Sequence, residues 1–287
     1  MVKKMKEPHK IGYKIFLTIL KPIYKLYYHP IIFNKEVIPT EGPVIICSNH
    51  LHLFDQNTAL LSTKRMIHYM AKKEHLDGKF GWFFKTVGCI RVDREIHDET
   101  AKSEAINLLK NGYIVGLFPE GTRNQVFGKE EINKKLYELY QDELGYKDFI
   151  KTLKNNQVCI SELNLLDKLL NEKRINLKEY KENALNIYPY LEQLLENNII
   201  TKKEYASSQL LPIKFGAVSL AAKTGATIVP CAVSGKYTFK DNHLNLRFGT
   251  PFKVGKDSDL EESRQKLENE IIRLKLEGLK EIKYNKI

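Results

Sequence analysis

Short apolar segments alternate with helical segments along much of this chain, and this alternation constrains the fold more than any other feature of the sequence. Helices are predicted near residues 78–85 and 100–110. The apolar segments have the length and composition of buried strands and cover residues 43–47, 66–71, 89–92 and 113–118. Strands that alternate with helices in this way favour an α/β fold.

A glycine-poor stretch interrupts the alternation between residues 129 and 205, and its heptad-like apolar spacing predicts small helices. The α/β pattern then resumes, with predicted elements at 217–223, 227–233, 244–248 and 259–283. We therefore expect one α/β domain with an insert. The expected regions are a membrane-associating helical region at 1–35, a first part of the domain at 36–125, an inserted helical segment at 126–209 and a second part at 210–287.

The insert contains an internal repeat. Residues 166–180 align with residues 191–205, which lie 25 positions later, and residues 153–158 begin a weaker third copy. Each copy predicts a helix, a polar turn, an isoleucine, a capping Asn or Thr, and a second helix that opens with Lys-Glu-Tyr. This pattern resembles the short SHOCT motif of oligomerising bacterial proteins, which makes the insert a candidate for protein–protein contacts.

The formal net charge of +11 indicates an anionic partner, which could be nucleic acid, an anionic bilayer or a phosphorylated substrate. The basic residues are interspersed with glutamates and match no nucleic-acid-binding motif, so we expect no nucleic-acid partner. The four cysteines lie far apart, which predicts reduced thiols. We expect no metal site, because His50, His52, Asp55 and His68 or His75 match no known ligand spacing.

Residues 10–27 predict an amphipathic helix with lysines at 10, 14, 21 and 25, together with Thr18, on one polar stripe. Such a helix suits a peripheral position on the cytoplasmic face of the cell membrane, with lysine side chains reaching anionic headgroups. A helix packed on its own domain fits the same pattern equally well. The apolar face consists of Ile15, Phe16, Ile19, Leu20, Ile23 and Tyr27.

His50 and Asp55 lie five residues apart, directly after the first predicted strand. An aspartate here could hydrogen-bond one imidazole nitrogen, fix the tautomer, and stabilise the imidazolium that forms when the other nitrogen accepts a proton. Taken alone, this spacing is more typical of a helix-capping aspartate and an unrelated loop histidine. The chain offers no G-x-S-x-G nucleophile motif.

Two further segments combine a buried strand with polar residues. The sequence FPEGTR at 118–123 follows a strand, and its glycine, Thr122, Arg123 and backbone amides suit phosphate oxygens, although in isolation it is also an ordinary polar turn. In the segment 88–94, Arg91 and Arg94 differ by three positions and so face opposite sides of an extended strand. We favour Arg94 for the substrate and Arg91 second; the alternative for either is a surface charge.

Taken in order, HxxxxD at 50–55, G-x-I-x-V-D-R at 88–94, FPEGTR and a late I-V-P strand at 228–230 resemble the four motifs of the phospholipid and glycerol acyltransferase family. The most similar members are bacterial 1-acylglycerol-3-phosphate acyltransferases. The resemblance covers residues 42–125 and 211–251. It implies a single mixed-sheet α/β domain flanked by helices.

The resemblance also implies residue roles, with His50 as the base and Asp55 as the residue that orients it. Ile228, Val229 and Pro230 would shape the acyl or acceptor pocket. The implied phosphoglycerol ligands come from the second and third motifs, with one further candidate: Arg94, Glu120, Gly121, Thr122, Arg123 and Lys214. His52 and the long helical insert depart from the family pattern, and they bear on the choice of acceptor.

The reaction implied is transfer of a fatty acyl group from an acyl carrier protein or coenzyme A thioester to the hydroxyl of lysophosphatidate, giving phosphatidate. The thioester is already activated, so no cofactor is expected. Glycerol 3-phosphate or another lyso-lipid is an alternative acceptor. A non-catalytic lipid-binding or scaffolding protein on the same fold is the alternative of a different class.

Overall fold

The computed structural model describes residues 9–93, 95–96, 98–239 and 244–284. The chain divides into two compact units, and the first consists of Met1–Asn49, Leu53–Gly121 and Ile213–Ile287. The second consists of His50–His52 and Thr122–Pro212. Its boundaries differ from those expected for an insert at 126–209, because three residues of the HxxxxD motif and the end of FPEGTR belong to it.

The described residues contain eight strands and thirteen α-helices. In chain order the strands are β1 (Ile31–Phe33), β2 (Val44–Ser48), β3 (Ile67–Lys72), β4 (Ile90–Val92), β5 (Ile114–Leu117), β6 (Thr227–Ser234), β7 (Asn245–Phe248) and β8 (Phe252–Lys253). The helices are α1 (Lys10–Tyr28), α2 (Asp55–Leu60), α3 (Lys73–Asp77), α4 (Gly81–Thr86), α5 (Glu99–Lys110), α6 (Glu130–Tyr137), α7 (Tyr146–Asn155), α8 (Ile160–Asn171), α9 (Leu177–Asn183), α10 (Ile187–Glu196), α11 (Lys202–Ser207), α12 (Gly216–Thr224) and α13 (Leu260–Tyr284).

The strands form one mixed sheet in the first unit, in the order β1-β7-β6-β2-β5-β3-β4, with β8 beside the start of β6. Strands β6, β2, β5, β3 and β4 are parallel to one another, whereas β7 and β8 run antiparallel to β6. This confirms the predicted mixed α/β sheet with flanking helices. The predicted strands at 43–47, 66–71, 89–92 and 113–118 correspond to β2, β3, β4 and β5.

Strand β2 lies at the centre of the sheet, and all five of its residues are buried. Val44 and Ile46 pack in the core cluster that contains Leu17 of α1. Ile45 and Cys47 point to the opposite face, because side chains alternate along a strand, and α12 packs against β2. Burial on both faces explains the continuous apolar sequence of this strand.

Helix α1 presents two apolar faces, one buried and one exposed. Tyr13, Leu17 and Tyr24 are buried in the core of the first unit. A second face, which we call the isoleucine ridge, consists of Ile11, Ile15, Ile19 and Ile23, each 58 to 75% exposed. Of the predicted apolar face, Phe16 and Leu20 pack against the core, whereas Ile15, Ile19, Ile23 and Tyr27 are exposed.

Residues 31–33 correct the expectation of a helical region at 1–35. They form the edge strand β1, which pairs in parallel with β7, so the chain joins the sheet soon after α1 ends at Tyr28. Residues 1–8 lie outside the described part of the chain. None of the helices that the structure describes combines the length and the apolar character that crossing a bilayer requires.

The second unit contains α6 to α11, and both repeat copies show the same local structure. Asn176 and Glu179 form a capping box at the start of α9, and Thr201 and Glu204 form one at the start of α11. In the third copy, the N–H of Cys159, the N-cap residue of α8, donates to Glu162 in the corresponding position. The polar turns are followed by buried apolar residues, which anchor each helix pair: Val158, Ile175 and Ile200.

The two faces of α1 predict opposite effects on stability. Leu17→Ala should lower the free energy of unfolding by about 2–5 kcal/mol, because it leaves a cavity in the core. Ile19→Ala, on the exposed ridge of the same helix, should change it by no more than about 0.5 kcal/mol. Urea unfolding without lipid measures both values. Equal losses in the two variants would contradict this division of the helix.

Candidate active site

Asn49 fixes the backbone where strand β2 ends. Its side chain is 1% exposed; Nδ2 donates to the carbonyl of Val233 at 2.9 Å, and Oδ1 accepts from the Val233 N–H at 2.8 Å. The amide therefore continues the β2–β6 pairing by one residue beyond the strand, in the way a backbone group would. The chain leaves the sheet from a fixed point immediately before His50.

His50 is half-buried and belongs to the second unit. Its carbonyl accepts a hydrogen bond from the Asn124 N–H at 2.7 Å. The Asn124 side chain is held in turn by Ser161 near the start of α8, since Nδ2 donates to Ser161 Oγ at 2.7 Å and Oδ1 accepts from its N–H at 3.0 Å. The backbone of the predicted base is thus tied to a helix of the insert.

Asp55 belongs to the first unit, where its side chain is only 2% exposed. It is the first residue of α2, and Phe54 occupies the N-cap position. The interpretation of Asp55 as a helix cap is therefore wrong. Its carboxylate instead accepts a hydrogen bond from the Tyr237 hydroxyl, with 2.6 Å between Asp55 Oδ1 and the phenolic oxygen.

Further hydroxyl groups surround this contact. The Tyr24 hydroxyl lies 2.7 Å from Thr58 Oγ1, and Tyr24 and Thr58 both also hydrogen-bond Tyr237. Burial raises the pKa of Tyr24, and both burial and the charge of Asp55 raise the pKa of Tyr237 well above its ordinary value. Both phenols therefore remain protonated and able to donate at neutral pH.

Glu120, Gly121 and Lys214 come together in the first unit, after strand β5. Glu120 is 4% exposed, and Gly121 has a φ of +73°, which favours glycine. The Lys214 N–H donates to the Pro119 carbonyl at 2.9 Å, and a Cβ on residue 121 would lie 2.9 Å from Lys214 Nζ. Gly121 therefore allows the lysine side chain to approach the turn.

Thr122 and Arg123 belong to the second unit. Lys129 Nζ donates to Thr122 Oγ1 at 2.7 Å, and the side chain of Arg123 is exposed. Lys129 lies six residues beyond FPEGTR, just before α6, and belongs to none of the sequence motifs. The structure adds this cation to the candidates that lie close to the third motif.

Of the two arginines of the second motif, the structure describes Arg91. The guanidinium of Arg91 pairs with Asp77, with 2.6 Å between Nη2 and Oδ2 and 3.1 Å between Nε and Oδ1. Hydrogen bonding to Arg91 lowers the pKa of Asp77. This ion pair occupies Arg91 at the surface and gives no support to a phosphate role. Arg94 lies outside the described residues.

Ile228, Val229 and Pro230 are buried in β6, between its neighbouring strands. Val229 belongs to the core cluster that α1 covers. Pro230 lies where β6 changes partner from β8 to β7, and the lack of an N–H is tolerated at this interruption of the ladder. These residues contribute to the core. Their role in shaping an acyl or acceptor pocket stays a prediction.

Three of the four cysteines are buried, and Cys89 is partly buried. Within the described ranges, no three His, Cys, Asp or Glu side chains are grouped closely enough to hold a metal ion. Burial raises the pKa of Cys231 to about 12 and also raises that of Cys47. Both thiols therefore stay protonated at neutral pH, where they are poor nucleophiles.

Tyr237, Thr58 and Asn49 were missed by sequence reasoning. Asn49 had one available signal, because it immediately precedes the histidine and its amide can substitute for a strand hydrogen bond. Tyr237 had no local signal, since it lies 182 residues from its partner Asp55.

Two proteins of known function resemble this chain. The 1-acyl-sn-glycerol-3-phosphate acyltransferase of Bacillus subtilis (strain 168) is 38% identical over 113 residues, which are 39% of this chain and 57% of that protein. The crystal structure of the 1-acyl-sn-glycerophosphate (LPA) acyltransferase, PlsC, from Thermotoga maritima has a TM-score of 0.53 and 19% identity. It covers 96% of this chain and 81% of that chain, and shows a shared fold. The model of the Acyltransferase family matches residues 30–234, more than half of the chain, and this protein therefore belongs to the Acyltransferase family.

Proposed function

We propose that this chain transfers a fatty acyl group from an acyl carrier protein or coenzyme A thioester to the free hydroxyl of lysophosphatidate, giving phosphatidate. The observation that carries the proposal is the HxxxxD motif directly after the central strand of a member of the Acyltransferase family. The name of the similar Bacillus subtilis protein supports lysophosphatidate as the acceptor.

In the proposed reaction His50 removes the proton from the acceptor hydroxyl, and Asp55 orients the imidazole and stabilises its charged form. The hydroxyl oxygen then attacks the thioester carbonyl and forms a tetrahedral oxyanion. As the oxyanion collapses, the carbon–sulfur bond breaks, and His50 returns the proton to the departing thiolate. An ester forms, a thiol is released, and no covalent acyl-enzyme or cofactor is required.

His50→Ala should lower kcat about 100- to 10,000-fold, because general-base catalysis contributes rate enhancements of this size. Asp55→Asn should also lower kcat. The exposed His75 provides a control, and His75→Ala should retain full activity. Thiol release from both thioester donors would be measured with lysophosphatidate, glycerol 3-phosphate and a second lyso-lipid. Undiminished turnover by His50→Ala would contradict the mechanism, and the acceptor panel identifies the substrate.

We further propose that the acceptor phosphate is bound by residues of the second and third motifs and by Lys214. A phosphate of charge near −2 is matched by arginine and lysine donors, and the close approach of Lys214 to Gly121 supports its inclusion. The proposed set is Arg94, Glu120, Gly121, Thr122, Arg123 and Lys214, and Glu120 would accept from a glycerol hydroxyl or orient an arginine.

Arg94→Gln should raise the KM for the acceptor about tenfold or more, because it removes a charge-assisted hydrogen bond to the phosphate. Arg91→Gln is the matched control, since the guanidinium of Arg91 pairs with Asp77. Steady-state kinetics with acceptor varied at saturating donor would measure both. A larger KM for Arg91→Gln than for Arg94→Gln would reverse the assignment.

We propose that α1 holds the protein peripherally on the cytoplasmic face of an anionic membrane. The isoleucine ridge would enter the headgroup layer, and the neighbouring lysines would bind anionic lipid. Helix α4 lies beside α1, since Phe16 contacts Phe83 with ring centroids 5.1 Å apart. Trp82 in α4 is 67% exposed, and tryptophan favours the membrane–water interface.

Ile15→Ser combined with Ile19→Ser should weaken binding to vesicles of phosphatidylglycerol and phosphatidylcholine, and added salt should weaken binding of the unaltered chain. Leu177→Ser is the control, because Leu177 is 58% exposed on the second unit, close to the 59% exposure of Ile15 and Ile19. The fraction of protein that sediments with the vesicles measures binding. Fluorescence gives a second measure, because Trp82 is the only tryptophan in the sequence and its emission should shift to shorter wavelength on binding. Equal binding by both serine variants would exclude the ridge as the membrane contact.

A further inference from the structure

Asp55 is a buried acid that accepts a hydrogen bond from a tyrosine. At 2% exposure its carboxylate has lost most of its hydration, and a buried charge is costly unless donors replace that water. The Tyr237 hydroxyl supplies one such donor at 2.6 Å, a distance typical of a strong O–H···O⁻ bond.

The direction of the hydrogen bonds follows from the chemistry of the groups. An ionised carboxylate only accepts, so Tyr237 commits its hydrogen to Asp55. The hydroxyls of Thr58 and Tyr24 lie 2.7 Å apart, and both also hydrogen-bond Tyr237. Since Tyr237 gives its hydrogen to Asp55, its phenolic oxygen accepts in these contacts, and the four groups form a network in which each bond polarises the next.

Helix α1 contributes side chains that contact Tyr237. The Tyr237 ring packs edge-on against Tyr28 of α1, with centroids 5.6 Å apart, and lies 6.5 Å from the ring of Phe54. Tyr24, a member of this hydroxyl network, belongs to the same helix. The inner face of the helix that carries the isoleucine ridge therefore holds the residue that hydrogen-bonds Asp55.

We propose that Tyr237 is a positioning residue for the acyl transfer reaction, and that Thr58 and Tyr24 of α1 hold its hydroxyl towards Asp55. This inference rests on the proposed function of Asp55. Tyr237 acts through the carboxylate: it holds Oδ1 in one place, so that Asp55 keeps a single orientation during proton transfer. Its contribution belongs to the chemical step and not to the binding of either substrate.

Tyr237→Phe removes the donor and keeps the ring. We expect kcat to fall about 10- to 100-fold, as for loss of one hydrogen bond to a charged group, with the KM values for donor and acceptor unchanged. Tyr180→Phe is a closely matched control, because Tyr180 donates to Asp167 Oδ1 at the same 2.6 Å in the second unit. It should preserve kcat while removing an equivalent bond.

A substitution pair at Thr58 separates hydrogen bonding from packing and does not depend on Tyr237→Phe folding. Thr58→Val preserves the shape of this fully buried side chain and removes its hydroxyl, whereas Thr58→Ser keeps the hydroxyl and loses a methyl group. We expect Thr58→Val to lower kcat and Thr58→Ser to retain most of it. A packing role predicts the opposite order.

Full kcat in Tyr237→Phe, or a larger loss of kcat in Thr58→Ser than in Thr58→Val, would overturn the positioning role while leaving the proposed acyl transfer intact. An increase in either KM without loss of kcat would also overturn it. Failure of the unaltered chain to release thiol with any acceptor of the panel would instead remove the proposed function, and this inference with it.

Discussion

The pairing of β2 with β5 on one side and β6 on the other is the interaction on which the rest of the first unit depends. In this register Cys47 lies opposite both Leu117 and Pro230, so the three parallel strands end at the same edge of the sheet. Asp55, Glu120 and Tyr237 all follow these strand ends. An edge at the carboxyl ends of parallel strands is where α/β folds collect polar groups for chemistry.

Helix α1 packs one face into the core of this unit and exposes the other. Tyr24 and Tyr28 face inward and contact the groups around Asp55, whereas the isoleucine ridge faces outward without a covering element in the described part of the chain. A helix that is apolar on two faces suits a protein that packs against it on one side and meets a lipid surface on the other. The proposed membrane contact and the proposed positioning of Asp55 thus involve the same helix.

The helical insert also takes part in organising the motif. In the second unit the carbonyl of His50 accepts a hydrogen bond from the Asn124 N–H. The Asn124 side chain makes two hydrogen bonds with Ser161 of α8. Removal of residues 128–207 would remove Ser161 and leave the buried Asn124 side chain without this hydrogen-bond partner. The insert therefore supports the backbone next to His50. The repeated capping boxes and buried turn residues give it a regular helical frame, and we propose protein–protein contacts as an additional role.

The sequence by itself determined the elements whose signals are local. Apolar runs such as that ending at Cys47 predicted buried strands, and the repeated Asn or Thr caps predicted the helix starts at Leu177 and Lys202. The ordered motifs indicated the family that the comparison with its model then showed. These features depend on side-chain periodicity and capping chemistry, which neighbouring residues carry.

Only the tertiary structure decided which partners these residues meet. The guanidinium of Arg91, a candidate phosphate ligand, pairs with Asp77, and the candidate pocket residues Ile228 to Pro230 lie buried in β6. The contact between Tyr237 and Asp55 joins residues 182 positions apart. No periodicity or motif spans such a distance, because strand pairing and burial bring the two together only when the whole sheet has formed.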